Sequence, residues 1–162
     1  MGGDGSSRRW AGQTVGLFDA FVADLWERTG LAALTTAVAN RDARAHLRAG
    51  LFAANQMYAA DRAIYRVLFS LAKIDPEAVG GAVQRKERNR AGGMEYLARR
   101  LDEDAALRSD VTIEQATHIL WVPCSFDTFD ALHSDRGLTV EQTTDLHRHD
   151  GRASALPLTR PR

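Results

Sequence analysis

Residues 110–132, DVTIEQATHILWVPCSFDTFDAL, limit what this chain can fold into more than any other stretch. The segment opens on a helix start. Thr112 can cap the first turn, and Gln115, three residues on, can reach back to the N–H of the cap. Beyond it, Ile119, Val122, Phe126 and Phe129 fall on one apolar stripe at helical spacing. Leu120, Cys124 and Ala131 fall on a second, with Trp121 beside it. A surface helix needs only one such stripe, so two imply burial from two sides. One side would be the chain's own core and the other a second copy of the chain. The alternative is the central helix of a monomeric bundle. Pro123 removes one rung of the hydrogen-bond ladder and is expected to kink this axial helix near Ile119. The helix is too short and too polar at its ends to span a bilayer.

The rest of the chain reads as helices as well. Leu17, Phe18, Phe21, Leu25 and Trp26 hold an i, i+4 pattern that Gly30 suits to end. A short helical piece covers residues 31–38. Asn40 and Asp42 then offer caps for a helix carrying Leu47, Leu51, Ala54 and Tyr58, and Asp61 interrupts before an apolar run from Ile64 to Leu71. Asp75-Pro76-Glu77 starts a long helix reaching about Asp104, because proline's missing N–H costs nothing in a first turn. Thr139 and Gln142 repeat the capping signal for a last short helix, whose apolar pattern stops after Leu146. No alternating strand pattern occurs. The expected fold is all-α, an antiparallel bundle of about six to seven helices. Residues 1–13 read as a flexible start on which Trp10 has no evident partner, 14–147 as one domain, and 148–162 as a disordered tail.

With 162 residues the chain supports one domain with a real core. Lys plus Arg and Asp plus Glu both number 21, so no global field draws it to nucleic acid or membrane. Cys124 is the single cysteine, which excludes an internal disulfide and a cysteine metal cluster; inside an apolar helix it reads as a small core residue. The absence of an apolar segment near the start gives no secretory signal, and the expected location is cytoplasmic.

The chemical inventory is thin. No glycine-rich phosphate loop, H-E-x-x-H or G-x-S-x-G occurs, so no catalytic residue, metal ligand set or cofactor is assigned. His46 and His118 read as ordinary histidines, His147 and His149 as part of a solvated tail, and Asp127 and Asp130 as partners for arginine or solvent. The long helix is more informative. Its inward stripe is Val83, Glu87, Arg90, Met94, Leu97 and Leu101, with two charges in it. Glu87 and Arg90 either pair with each other, line a cavity, or mark a solvated mid-section. Gly92-Gly93 beside them permits a kink or a close backbone approach. Bulky side chains exceed what a small bundle needs, and an interhelical pocket follows as an expectation. Its candidate lining is Phe52, Tyr58, Tyr65, Phe69, Glu87, Arg90, Met94 and Trp121, with Trp26, Met57 and Phe126 nearby.

The order of segments LFDAFVADLWERTGLAAL, YAADRAIYRVLFSLAKIDPE, an Arg-rich helix, VTIEQATHILWVPCSFDTFDAL and DRGLTVEQTTDL resembles the C-terminal regulatory domain of TetR/AcrR-type bacterial transcriptional regulators. The resemblance covers roughly residues 14–146. It implies a domain that binds a small, largely apolar effector and forms a homodimer through its last two helices. The implied dimer surface takes in Ile119, Val122, Phe126, Phe129, Leu132, Leu138 and Leu146. Two departures stand out: no recognition helix or basic cluster of a helix-turn-helix domain is found, so DNA would be reached only through such a domain supplied elsewhere, and the last helix loses its pattern early. Two other functions fit a helical bundle: a stand-alone dimerisation partner that titrates full-length regulators, and a small helical enzyme or carrier using the pocket.

Overall fold

The computed structural model describes residues 4–155, and side chains within 16–75 and 81–148. Eight α-helices and no strand are present among the described residues: α1 (Asp4–Thr29), α2 (Leu31–Val38), α3 (Ala43–Ala60), α4 (Arg62–Ile74), α5 (Pro76–Glu103), α6 (Ile113–Trp121), α7 (Phe126–Asp130) and α8 (Val140–Ala155), with a π-helical turn at Ala131–Asp135. The expected all-α bundle is what forms. None of these helices is long and apolar enough to cross a membrane.

Local signals in the sequence set most boundaries. Gly30 takes φ 136°, a backbone region that a side chain would strain, and so turns α1 into α2. Asp42 caps α3 by accepting from the N–H groups of Arg44 and Ala45 at 3.0 and 3.2 Å. Thr112 and Gln115 form the reciprocal cap of α6, and Thr139 and Gln142 form that of α8. α5 closes where Ala105 enters the left-handed region at φ 48° and the Ala106 N–H reaches back to the Leu101 carbonyl at 2.7 Å.

Two apolar clusters make the core. In the first, Val22, Leu25 and Trp26 of α1 meet Met57 and Tyr58 of α3, Tyr65 and Leu68 of α4, Val83 of α5, and Phe126 and Phe129 of α7. In the second, Leu47 and Leu51 of α3 meet Leu97 and Leu101 of α5, Leu120 of α6 and Cys124. Burying each large apolar side chain contributes about 1.5–3 kcal/mol. Only α3 and α5 contribute to both clusters as helices, so they form the spine.

Three expectations change. The axial helix is not one kinked helix but two, α6 and α7, parted by a turn at residues 122–125. Pro123 cannot donate to the Ile119 carbonyl, and Ser125 supplies a competing helix start, its Oγ accepting from the Thr128 N–H at 3.2 Å. After that turn Phe126 and Phe129 point into the chain's own core, 3 % and 0 % exposed, and are therefore buried away from any partner surface. Second, the chain ends are more helical than expected. α1 begins at Asp4, within the segment read as flexible, and α8 continues to Ala155. Extending an established helix adds one hydrogen bond per residue fixed and needs no new nucleus. The side chain of Trp10, that of His149 and residues 156–162 lie outside the described residues. Third, Gly92-Gly93 brings no close backbone approach: a Cβ at either glycine would meet nothing within 4 Å, and α5 runs unbroken through both.

Ion pairs tie α4 to α7. Lys73 meets Asp127 at 2.8 Å, and Asp130 accepts from Arg66 Nε and Nη2 at 2.9 and 2.8 Å and from Ser134 Oγ at 2.5 Å. Burial raises the pKa of Asp130, but the Ser134 and Arg66 hydrogen bonds with the charges of Arg66 and Arg62 outweigh it and hold the carboxyl below its usual range. A depressed carboxyl contributes stability above the unfolded-chain value near about 3.9, and loses it as pH falls through the folded value. Asp130→Asn is therefore expected to cost about 1 kcal/mol in urea denaturation at neutral pH, with the gap to the parent closing in strong acid.

Candidate functional site

A cavity of about 540 Å³ opens between α2, α3 and α5. α3 is its floor, through Leu47, Leu51, Ala54 and Met57. α2 forms one wall, through Leu31, Leu34 and Val38, and α5 the other, from Lys86 to Leu97. α2 packs closely on α3 but barely touches α5, which leaves the gap. The mouth is rimmed by Leu31, Val38 and Tyr96, apolar side chains 39 %, 46 % and 50 % exposed. Asn89 and Gly93 face the cavity from α5, and neither fills it.

The two ends of the cavity carry different polar groups. At one end His46 is buried, and its Nδ1 stands 3.2 Å from Arg100 Nη1. An arginine can only donate, so Nδ1 accepts and the proton sits on Nε2. Burial, then the charge of Arg100, pushes the His46 pKa below the usual imidazole value, and the ring is neutral near pH 7. Arg100 itself also donates to the Asn40 and Arg41 carbonyls at 2.6 and 2.5 Å, closing the α2–α3 connection.

At the other end are Tyr58, Arg90, Cys124 and Lys86. The Tyr58 hydroxyl donates to the Cys124 carbonyl at 3.2 Å. Burial drives the Tyr58 phenol well above its usual range, and pushes the Cys124 thiol up to about 11, so the sulfur is a packed thiol and not a nucleophile at neutral pH. Arg90 Nη1 donates to the Trp121 carbonyl at 2.6 Å, its Nε donates to Glu87 at 3.3 Å, and its Nη2 pairs with the same carboxylate. The guanidinium also lies 4.1 Å over the Trp121 ring. Of the readings open for Glu87 and Arg90, pairing and cavity lining both hold. The Lys86 ammonium faces the Trp26 ring at 4.4 Å, and burial lowers its pKa to about 8 against the opposing pull of Glu87.

Arg90 also borders a second, smaller cleft of about 390 Å³ on the far side, lined among others by Phe69, Glu87, Trp121 and Val122. The expected pocket set thus divides. Tyr58, Arg90 and Met94 line the main cavity, while Phe69, Glu87 and Trp121 join Arg90 at the second cleft. Phe52 borders neither and is 41 % exposed; Tyr65 borders neither because it is fully buried in the aromatic cluster, edge-on to Tyr58 at 5.3 Å with its hydroxyl on Thr29 at 2.7 Å. Lys86, Asn89, Gly93, His46 and the α2 stripe were not anticipated. On α5 the cavity face joins the core-stripe residues Arg90, Met94 and Leu97 to the positions one before the stripe, 86, 89, 93 and 96, and that regular spacing is the signal that could have found them.

Of the expected dimer surface, Val122 and Leu146 are exposed, Ile119, Leu132 and Leu138 are half-buried, and Phe126 and Phe129 are internal. His118 is exposed, and His147, expected in a solvated tail, is 2 % exposed on α8. No group of three potential metal-ligating side chains comes together among the described residues.

Comparisons of the chain with protein-family models, with curated proteins and with solved structures return no match. Removing the groups that hold the end of the cavity gives a graded test. Tyr58→Phe keeps the ring but strands the buried Cys124 carbonyl, an expected cost of about 1–2 kcal/mol. Arg90→Met leaves the part-buried Glu87 without its cation and the Trp121 carbonyl to solvent, and is expected to cost about 1–3 kcal/mol, read from urea midpoints.

Proposed function

We propose that residues 14–147 form an effector-sensing domain that binds a small, largely apolar molecule in the α2–α3–α5 cavity and pairs with a second copy, in the manner implied by the resemblance to TetR/AcrR-type regulatory domains. The observation that carries this reading is the cavity itself. Its volume lies within the roughly 300–1,000 Å³ usual for small-molecule sites, and its lining is apolar with a few polar groups at the ends. DNA contact in such a regulator belongs to a separate helix-turn-helix unit. The geometry also supplies a route from ligand to partner surface. A molecule touching Tyr58, Arg90 and Cys124 touches the side chains that hold the 122–125 turn, and that turn carries the exposed Val122. A ligand that favours one setting of the turn would bias the dimer in proportion to that preference.

Gly93 gives a selective test. A side chain there meets open space in the cavity and replaces a poor helix former. Gly93→Leu is expected to leave the fold as stable as the parent, or more stable by up to about 1 kcal/mol, while abolishing binding of a neutral apolar dye such as N-phenyl-1-naphthylamine. Dye binding that survives Gly93→Leu unchanged would place the ligand elsewhere. Native mass spectrometry at low micromolar concentration is expected to give a dimer, and Val122→Asp a monomer of unchanged helicity; a monomeric parent would sink the dimer half of the reading.

A further inference from the structure

Three cations stand at or beside the cavity, and two of them are already committed. Arg90 is held by Glu87 and by the Trp121 carbonyl. Arg100 is held by the Asn40 and Arg41 carbonyls and by His46. Lys86 is different. Among the described residues its ammonium has no hydrogen-bonding partner and no carboxylate at ion-pair distance; its contact is the face of Trp26. The nearest acid along α5, Glu87, is engaged by Arg90. A partly buried ammonium with only an aromatic face for company has lost hydration without gaining a counter-ion.

We infer that the cavity takes an anionic amphiphile, an aliphatic chain ending in a carboxylate, with the Lys86 ammonium as counter-ion of the headgroup and the chain lying along α3 between α2 and α5. This rests on the reading of the cavity as a ligand site and names its ligand class. Lys86 and Leu97 are eleven residues apart on one helix, so the lined length is roughly 16 Å. Between them the lining is mainly Leu34, Leu47, Leu51 and Met94, which suits an alkyl chain; the Thr35 hydroxyl on the same wall is spent on the Leu31 carbonyl at 3.0 Å. The headgroup end adds Asn89 as a neutral donor, and the far end is closed by neutral His46.

The electrostatics make the proposal testable by pH. Facing the headgroup are Trp26 of α1, which does not titrate; Tyr58 of α3, whose phenol is raised; Cys124 of the 122–125 turn, raised to about 11; and Glu87 and Arg90 of α5, paired with each other. His46 at the far end is lowered. Lys86, at about 8, is thus the group at the headgroup end that changes charge on passing from neutral to mildly alkaline pH; the Tyr96 phenol stands at the far end beside His46. Its protonated form binds the anion, so affinity is full below that value and falls as pH rises through it.

The experiment is displacement of N-phenyl-1-naphthylamine from the full chain by decanoate and by its uncharged counterpart 1-decanol. Decanoate is expected to displace at about tenfold lower concentration than decanol at neutral pH, and to lose about that factor by pH 9.5, since each unit of pKa change is a tenfold change in binding. Decanol should show no pH dependence. Lys86→Met, similar in length and uncharged, should bind both probes with the affinity of decanol in the parent. Equal displacement by the two probes in the parent at neutral pH, or a decanoate preference that ignores pH, overturns Lys86 as the anchor and leaves the cavity reading in place. A Lys86→Met protein that binds neither probe also overturns it, by assigning Lys86 to the fold. Failure of the parent to bind the dye or either probe removes the ligand-site reading and this inference with it.

Discussion

The rest of the structure depends on one absent hydrogen bond. Pro123 has no N–H to give the Ile119 carbonyl, and the helix begun at Thr112 ends at Trp121. The carbonyls released by that ending need new donors, and beside the Ser125 N–H on the Val122 carbonyl at 3.1 Å these are side chains from different places. Arg90 of α5 takes the Trp121 carbonyl, Thr128 of α7 takes that of Val122 at 3.1 Å, and Tyr58 of α3 takes that of Cys124. Of the three bonds the one to Cys124 is buried, and that carbonyl left without its donor would cost on the order of 1–3 kcal/mol. The break is thus stitched to three helices at once, and the stitching fixes where α7 goes. Phe126 and Phe129 turn inward against Tyr58, with ring centroids 5.4 and 5.9 Å away, and the aromatic cluster closes around them.

The cavity is a by-product of how the spine is spaced. The two apolar clusters are joined along α3, and the cavity lies over that join, with Leu47 and Leu51 of one cluster and Ala54 and Met57 of the other in its floor. Protein interiors are otherwise filled to crystal-like density. Here α2 is positioned by the Gly30 turn at one end and tied to α5 at the other by the Arg100 hydrogen bond to the Val38 carbonyl, while the two helices otherwise pack little against each other. The α5 face opposite carries Gly93 at its middle, where no side chain reaches across the gap. A closed bundle would have placed a Leu at Gly93.

Where the sequence carried a local physical signal, the fold was legible in it. The caps at Asp42, Thr112 and Thr139, the turn at Gly30 and the inward stripe of α5 each rest on interactions within a few residues, which a spacing can reveal. The α6–α7 break was only half legible, because Pro123 was weighed as a kink and the start signal at Ser125 was overlooked. The buried face of α8 was hidden for another reason. It is built from Thr143, Thr144 and His147, which a hydrophobic pattern does not register. The cavity was legible as an excess of bulky residues, but not its lining. Membership depends on the gap between α2 and α5, a tertiary quantity, so Tyr65 went to the core, Phe52 to solvent, and Lys86 into view.

That polar face of α8 has a consequence for how the molecule opens. α8 is bound to α3 through the Asn55 Nδ2 bond to Thr144 Oγ1 at 2.9 Å, across 89 residues of chain, while Asn55 Oδ1 and Thr143 Oγ1 find no hydrogen-bonding partner among the described residues. An interface that closes so long a loop and returns little apolar burial is weak in free energy. α8 is therefore expected to exchange its amide hydrogens through a partial unfolding of its own, below the energy at which the two apolar clusters come apart. The helix that bears Leu146 is thus held to α3 largely by polar groups, and pairing with another surface would add the apolar burial that its described face lacks.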